Sequence, residues 1–512
     1  MKGKTGSSRG LRCAAAALSL AAAAAMLTAC GGSPTSSVGS ASTGPATYRA
    51  DLAFAHCMQT HGVPGFPDPK PSAALSISGH PQGNSPAAKA YDACEQLLPG
   101  GSTGTGSAAT PATASPHGGA EAACLGSLPC YTPRQFRVAY GIQPLLDRGI
   151  DGRGISVALP EQAETGPAQT PAVTDIRQDV ADFDNRFGLP PARIQVITTL
   201  AGPSASPWLA SEEEVEDTEM VHAVAPGATI REILVNPAEV STPAKFAVTF
   251  AAYVRIAVRS AEVISQCQVG ENFSVGEDSW TSAEVATMNS ALQYAAARHV
   301  TVVAASGDEG VLGFGSSTPV KQVILPASDP LVLGVGGTSL TANPVTGAYV
   351  SETTYSTPSS GSGGGFSHLF ARPAYQDGVP GIGATRGVPD VAADAEGSTG
   401  MALAFSAPGG SYQLIGAGGT SAGAPFWAGL IALADQEAGH PLGFVNPAIY
   451  RIARGPMYHK AFHDTTTGDN TVVLTSTSPP VTITGYQAGP GWDPVTGWGT
   501  PDAQVLVPLL AR

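Results

Sequence analysis

The chain has 512 residues, is 43% hydrophobic and only 13% charged, and carries a formal net charge of −14. That length allows more than one domain and a large buried core. With no cluster of Lys and Arg to meet phosphates, the composition excludes a nucleic-acid partner.

Lys2, Lys4, Arg9 and Arg12 precede an Ala/Leu-rich run from Ala14 to Thr28. A basic start followed by a short apolar run is the pattern of a secretory signal, too short for a membrane span. The run ends in Leu27-Thr28-Ala29-Cys30, which resembles the bacterial lipobox. That resemblance implies a signal peptide over 1–29, lipid on the Cys30 thiol, and an extracellular protein anchored to the cell membrane. No later segment is apolar enough to cross a bilayer.

Residues 30–47 read as a flexible Ser/Thr/Gly/Pro tether. Residues 48–98 read as a small module of two helices, Ala50–His61 and Ser85–Leu98, with Cys57 in the first and Cys94 in the second. A disulfide between them would staple a unit too small to build much core. His56 and His61 lie on one helix with no third ligand, so they read as structural or exposed rather than as a metal site. Residues 99–122 are a second Gly/Ser/Thr/Pro linker. Outside the cytoplasm disulfides persist, and Cys124 with Cys130 is the other economical pair. That leaves Cys267, in an apolar run, as a buried free thiol.

Residues 123–512 read as one α/β domain. Ile155–Leu159, Thr229–Val235, Val300–Ala305 and Leu331–Val335 are short apolar runs typical of buried parallel strands. Helical patterns at Ser282–Arg298 and Ala422–Glu437 alternate with strands, which argues for a parallel sheet with helices on both faces. Sites on such sheets gather at the carboxyl ends of strands. Ser306-Gly307-Asp308 follows one strand, and Ser421 follows the run Tyr412–Ile415 and opens a helix. A serine hydroxyl needs a base to become a nucleophile, yet none of the ten histidines stands in a catalytic setting. Glu213 and Asp217 are spaced i, i+4 on one helix face. His222 lies about 140° around that helix from Asp217, at roughly 3.6 residues per turn. Taken alone, the acidic segment Glu212–Glu219 reads as a solvated helix face.

Taken in order, the motifs resemble the sedolisins, serine-carboxyl peptidases with a subtilisin-like fold. They are Tyr131-Thr132-Pro133, Ala139-Tyr140-Gly141, the Glu-x-x-x-Asp helix ending in Ala225-Pro226-Gly227-Ala228, and Ser306-Gly307-Asp308. Ser362–Ser367, Pro373–Gln376, Pro389–Asp394 and Gly419-Thr420-Ser421-Ala422 complete the series. The resemblance covers residues 124–512. It implies Ser421 as nucleophile, Glu213 as general base, Asp217 as its partner and Asp308 as oxyanion stabiliser. It implies hydrolysis of polypeptides through an acyl-enzyme, at acid pH because Asp308 donates a hydrogen bond only when protonated. It also implies calcium held by the side chains of Asp464 and Asp493 and the carbonyls of Thr465, Gly489 and Gly491, a donor set that suits a hard cation.

Two features depart from the family. Its substrate-edge strand reads Ser-x-Ser followed by Gly, whereas here Ser265-Gln266-Cys267-Gln268 occurs. The family also carries a large folded prosegment, where this chain has residues 30–119, much of it linker. The expectation is thus a monomeric, membrane-tethered endopeptidase. The rivals are a non-catalytic surface binding protein on a peptidase scaffold, and a His222-dependent neutral subtilisin.

Overall fold

The apolar runs of the sequence become strands because they bury both faces at once. The computed structural model describes residues 130–164, 173–203, 205–267, 275–313, 319–357, 359–406, 412–475 and 477–512, with Val63 and Lys89. The chain divides into the units Met1–Pro111 and Ala112–Arg512. The signal, tether, module and linker expected over 1–122, including Cys30, Cys57 and Cys94, lie outside the described residues but for Val63 and Lys89, as does Cys124.

Eight strands form the central sheet: β1 (Ser156–Gln162), β2 (Arg193–Leu200), β3 (Thr229–Val235), β4 (Val263–Gln266), β5 (Thr301–Ala305), β6 (Leu333–Ala342), β7 (Tyr349–Thr354) and β8 (Val391–Asp394). Their order is β8-β6-β5-β4-β1-β3-β2, with β7 beside β6. All of these pairings are parallel except β6–β7. Register places Ser156 opposite Thr229 and Val263 opposite Thr301.

Alternation along the strands splits the core into two layers, since successive side chains point to opposite faces. Val157, Leu159, Val263, Val303 and Ala305 join one core; Ala158, Ile264, Val302 and Ala304 join the other. Helices cover both faces, as the parallel-sheet reading requires: α1 (Ile176–Phe187), α2 (Glu212–Val224), α3 (Pro243–Ala257), α4 (Ser282–Ala296) and α5 (Gly419–Ala438). Helices α2 and α5 lie on the first layer, α3 and α4 on the second. This is a mixed α/β fold of the subtilisin type.

The run Tyr412–Ile415 is a strand, but not one of the central sheet. As β10 (Tyr412–Gly416) it pairs antiparallel with β9 (Ala402–Ser406) in a two-stranded ribbon. A short apolar run does not reveal its partner, and Ser421 therefore follows a ribbon rather than a sheet strand. α5 is nearly all buried and anchors the domain. Its Phe426 is fully buried and packs on Phe136 and Tyr140, with ring centroids 5.6 and 4.9 Å away. Burial of one such ring is worth about 1.5–3 kcal/mol.

Candidate active site

Three strands of the sheet end at one place. β1 ends at Glu161-Gln162, β4 runs into Cys267, and β5 runs into Ser306-Gly307-Asp308. β1 lies where the strand order reverses direction, and such switch points open a crevice at the carboxyl ends of strands. α2 and α5 bring their first turns to this crevice.

α2 starts where Ser211 accepts a hydrogen bond from the Glu214 amide at 3.3 Å. Glu212, Glu213 and Glu214 fill its first turn, where the helix dipole favours negative charge. The solvated face expected from the acidic run is not what forms. Glu214, Glu216, Asp217 and Glu219 are all buried, Asp217 at 1% exposure, while Glu213 is half-buried. The carboxylates stay inside because the surrounding backbone uses them. Glu216 Oε1 accepts the Gly418 amide at 2.9 Å, and Glu219 Oε2 accepts the Ala404 amide at 2.8 Å. Glu216 thus holds the residue that caps α5.

Asp217 sits one turn deeper than Glu213. Burial foremost, and then the Glu213 charge, push its carboxyl well above the usual range, while Glu161 and the Cys267 thiol pull it back. Glu161, at 1% exposure, is raised by burial and by Asp217, Glu214 and Glu213. Asp217 therefore holds its proton more tightly than a carboxyl in water.

Ser421 is the third residue of α5, in the helix's first turn. Gly419 precedes it with φ +73°, a left-handed conformation suited to glycine. A Cβ there would stand 2.8 Å from Asp308 Oδ2, so glycine lets Asp308 lie against the start of the helix. Asp308 Oδ1 accepts the Thr420 amide at 2.7 Å, and Thr420 Oγ1 accepts the Gly307 amide at 3.0 Å. The Gly-rich run after Ser360 clamps this loop from outside. Gly361 N donates to Asp308 O and Gly363 N to Gly307 O, both at 2.7 Å. Ser306 Oγ donates to Gly363 O at 2.6 Å. Burial pushes the Asp308 carboxyl up to about 6, the Thr420 amide lowers it, and the Glu213 charge raises it.

Cys267 occupies the middle of the group. Its Sγ donates to Glu213 Oε1 at 2.8 Å, and the Ser421 side chain hydrogen-bonds the sulfur. The thiol is free and buried, as expected from its apolar run. The structure thus gathers Glu213, Asp217, Asp308 and Ser421 and adds Glu161, Glu216 and Cys267, which sequence reasoning missed as site residues. Their only sequence signal was position: Glu161 and Cys267 each stand at the end of an apolar strand run.

His222 is engaged elsewhere. Its Nε2 lies 2.8 Å from Asp184 Oδ1 on α1 and 2.9 Å from the Pro190 carbonyl, and the side chain is 1% exposed. It ties α2 to α1 and does not belong to the group around Ser421.

The five residues expected to hold calcium meet at the far end of the chain. Asp464 accepts the Gly491 amide at 3.0 Å, and Asp493 accepts the Gly489 amide at 3.2 Å. The Thr465 hydroxyl is buried without a partner. Among the described residues, no three or more His, Cys, Asp or Glu side chains form a metal cluster. Two carboxylates around one glycine loop, with no basic side chain paired to either among the described residues, still fit a hard cation completed by carbonyls.

Fold and site together define a subtilisin-like α/β protein whose serine faces carboxyl groups instead of an imidazole. Residues 200–479 match the subtilase family (peptidase S8). Over 398 residues the chain is 34% identical to kumamolisin of Bacillus sp. (strain MN-32), a match covering 75% of this chain and 64% of kumamolisin. It is 35% identical over 260 residues to tripeptidyl-peptidase 1 of Homo sapiens, covering 46% of this chain and 41% of that protein. Among solved structures, Pseudomonas sedolisin, a serine-carboxyl proteinase complexed with two molecules of pseudo-iodotyrostatin, superposes with a TM-score of 0.59 at 26% identity. That match covers 75% of this chain and 98% of sedolisin's. The chain belongs to the subtilase family, and within that family it is similar to sedolisin and kumamolisin. It spans less than two-thirds of the length of kumamolisin and of tripeptidyl-peptidase 1.

Proposed function

We propose that this protein is a serine-carboxyl endopeptidase that hydrolyses polypeptides at acid pH. The observation that carries the reading is the meeting of Glu213, Asp217 and Ser421 around the Cys267 thiol, with Asp308 held against the Thr420 amide next to Ser421. Ser421 Oγ attacks the scissile carbonyl while its proton passes to Glu213. Asp217, protonated beside it, holds Glu213 in place and shares the charge that arrives. The tetrahedral oxyanion accepts a hydrogen bond from protonated Asp308, in a partly buried site where such a donor counts for more than in water. Collapse expels the amine, which takes the proton from Glu213, and leaves an acyl-enzyme on Ser421. Glu213 then takes a proton from the attacking water and returns it to Ser421 Oγ as the carboxylic product leaves.

Acid operation follows from Asp308. Its carboxyl titrates at about 6, so below that pH it donates and above it the ionised group repels the oxyanion. Digestion of a denatured protein across pH 3 to 8 should be fastest in acid, and Ser421→Ala should lower kcat by at least about 10⁴-fold. Equal digestion by Ser421→Ala would remove Ser421 as the nucleophile, and no digestion by the unaltered protein at any pH would leave the scaffold a binding protein. The neutral His222 reading has no support, because that imidazole is committed to Asp184.

Calcium belongs to the same proposal. The side chains of Asp464 and Asp493 and the carbonyls of Thr465, Gly489 and Gly491 would hold it and tie the C-terminal loops together. Chelation should then lower the thermal midpoint, an effect absent in Asp493→Ala; identical midpoints with and without chelator in the unaltered protein would remove the ion.

A membrane tether through Cys30 rests on the Leu27–Cys30 pattern alone. No described helix is long and apolar enough to cross a membrane. Mass spectrometry of the N-terminal peptide should show an acylated Cys30, and an unmodified thiol there would end that reading.

A further inference from the structure

The residue between nucleophile and base is a thiol, where the family resemblance leads one to expect a serine hydroxyl. We propose that Cys267 is a positioning residue that acts through Glu213: its S–H orients the Glu213 carboxyl and, being a weak donor, sets how readily that base ionises. The inference rests on the reading of Glu213 and Ser421 as base and nucleophile.

Three observations support it. Cys267 follows β4, a strand buried throughout, and its side chain is 2% exposed, so the sulfur has one fixed place. Its Sγ donates to Glu213 Oε1 at 2.8 Å, lies against Asp217, and is hydrogen-bonded by Ser421. The groups around Glu213 are otherwise acids: Glu212, Glu216 and Asp217 on α2, Glu161 from β1, and Asp308 from the loop after β5. Burial, Asp217 and Glu213 raise the thiol well above its ordinary range, so it stays protonated and remains a donor wherever the enzyme works.

A donor to a carboxylate favours the charged form, and S–H is a weaker donor than O–H. With Cys267 in place, the carboxylate of Glu213 is less stabilised than it would be by serine. The base is correspondingly stronger, and it needs a higher pH to become ionised. A thiol in this position therefore trades breadth on the acid side for basicity.

The test compares kcat/KM against pH for the unaltered protein, Cys267→Ser and Cys267→Ala. Cys267→Ser should move the acid limb down by about half a pH unit, because the stronger donor favours the carboxylate. Cys267→Ala, with no donor, should move it up and lower kcat/KM on that limb about threefold to tenfold. Limbs that stay still, or that move the same way in both variants, would overturn the proposal even if Cys267→Ala lost thermal stability, since a purely packing role changes stability alone. If Cys267→Ala fails to fold, the serine variant still decides the sign.

A second readout needs no activity. The infrared S–H stretch of Cys267, isolated as a difference against Cys267→Ser, should shift as Glu213 ionises and lose that shift in Glu213→Gln. A chain with no peptidase activity in which the stretch still responds would refute the enzymatic reading while keeping the hydrogen bond. An active enzyme with an unresponsive stretch would refute the role of Cys267.

Discussion

Asp308 shows how one side chain sets a working range. It is a carboxyl asked to serve as a hydrogen-bond donor, and burial makes that possible by holding its proton up to about pH 6. An asparagine of the same shape donates at any pH. Asp308→Asn should therefore abolish the fall of kcat/KM above about pH 6, while Asp308→Ala should reduce kcat about 10²- to 10³-fold at every pH. A pH–rate profile of Asp308→Asn that still falls at the same pH would assign the alkaline limb to another group. Ser421 and Asp308 were legible in the sequence because glycines mark both turns. Glu161 was not, because a glutamate at the end of a strand has no pattern of its own. Its significance lies in Asp217, which is far away in sequence.

At the scale of elements, catalysis depends on two helices held side by side. α2 carries the acids and α5 carries the serine. They approach closely where Gly429 faces Val224: a Cβ on Gly429 would stand 2.8 Å from Val224 Cβ. Glu216 fixes the other end of the contact through the Gly418 amide. Gly429→Ala should push the helices apart and cost about 1–3 kcal/mol of stability, the usual range for overpacking. Denaturant unfolding measures the first effect, and kcat should fall with it. Unchanged stability and rate would mean that the contact has slack. The positions of both helices were readable from spacing and turn residues. Their contact was not, because Gly429 looks like any glycine in an apolar helix.

At the scale of the whole molecule, buried carboxyls among the described residues outnumber the buried basic side chains. Burial raises Glu161, Glu214, Glu216, Asp217, Glu219 and Asp394 well above the ordinary range. It pushes Glu232, Glu309 and Asp435 up to about 7. A carboxyl whose folded value is raised binds its proton more tightly when folded. Its contribution to stability is therefore complete below the unfolded value of about 4 and is lost as pH rises through the folded value. The thermal midpoint should be highest in acid and drop between about pH 5 and 8. Scanning calorimetry across that range checks it, and a midpoint rising towards neutrality would show the carboxyls to be ionised and paired. What the sequence determined by itself was local and periodic: the buried strands, the helices between them, the turns carrying Ser421 and Asp308, and the i, i+4 pair on α2. Hydrophobic period, turn chemistry and helical spacing operate within a few residues, so they can be read from the chain. Only the tertiary structure decided which acids are buried, that β10 leaves the sheet, that His222 turns to Asp184, and that Cys267 meets Glu213. Each of those depends on partners many residues away, and burial, which raises the carboxyls named above, is a property of the packed fold alone.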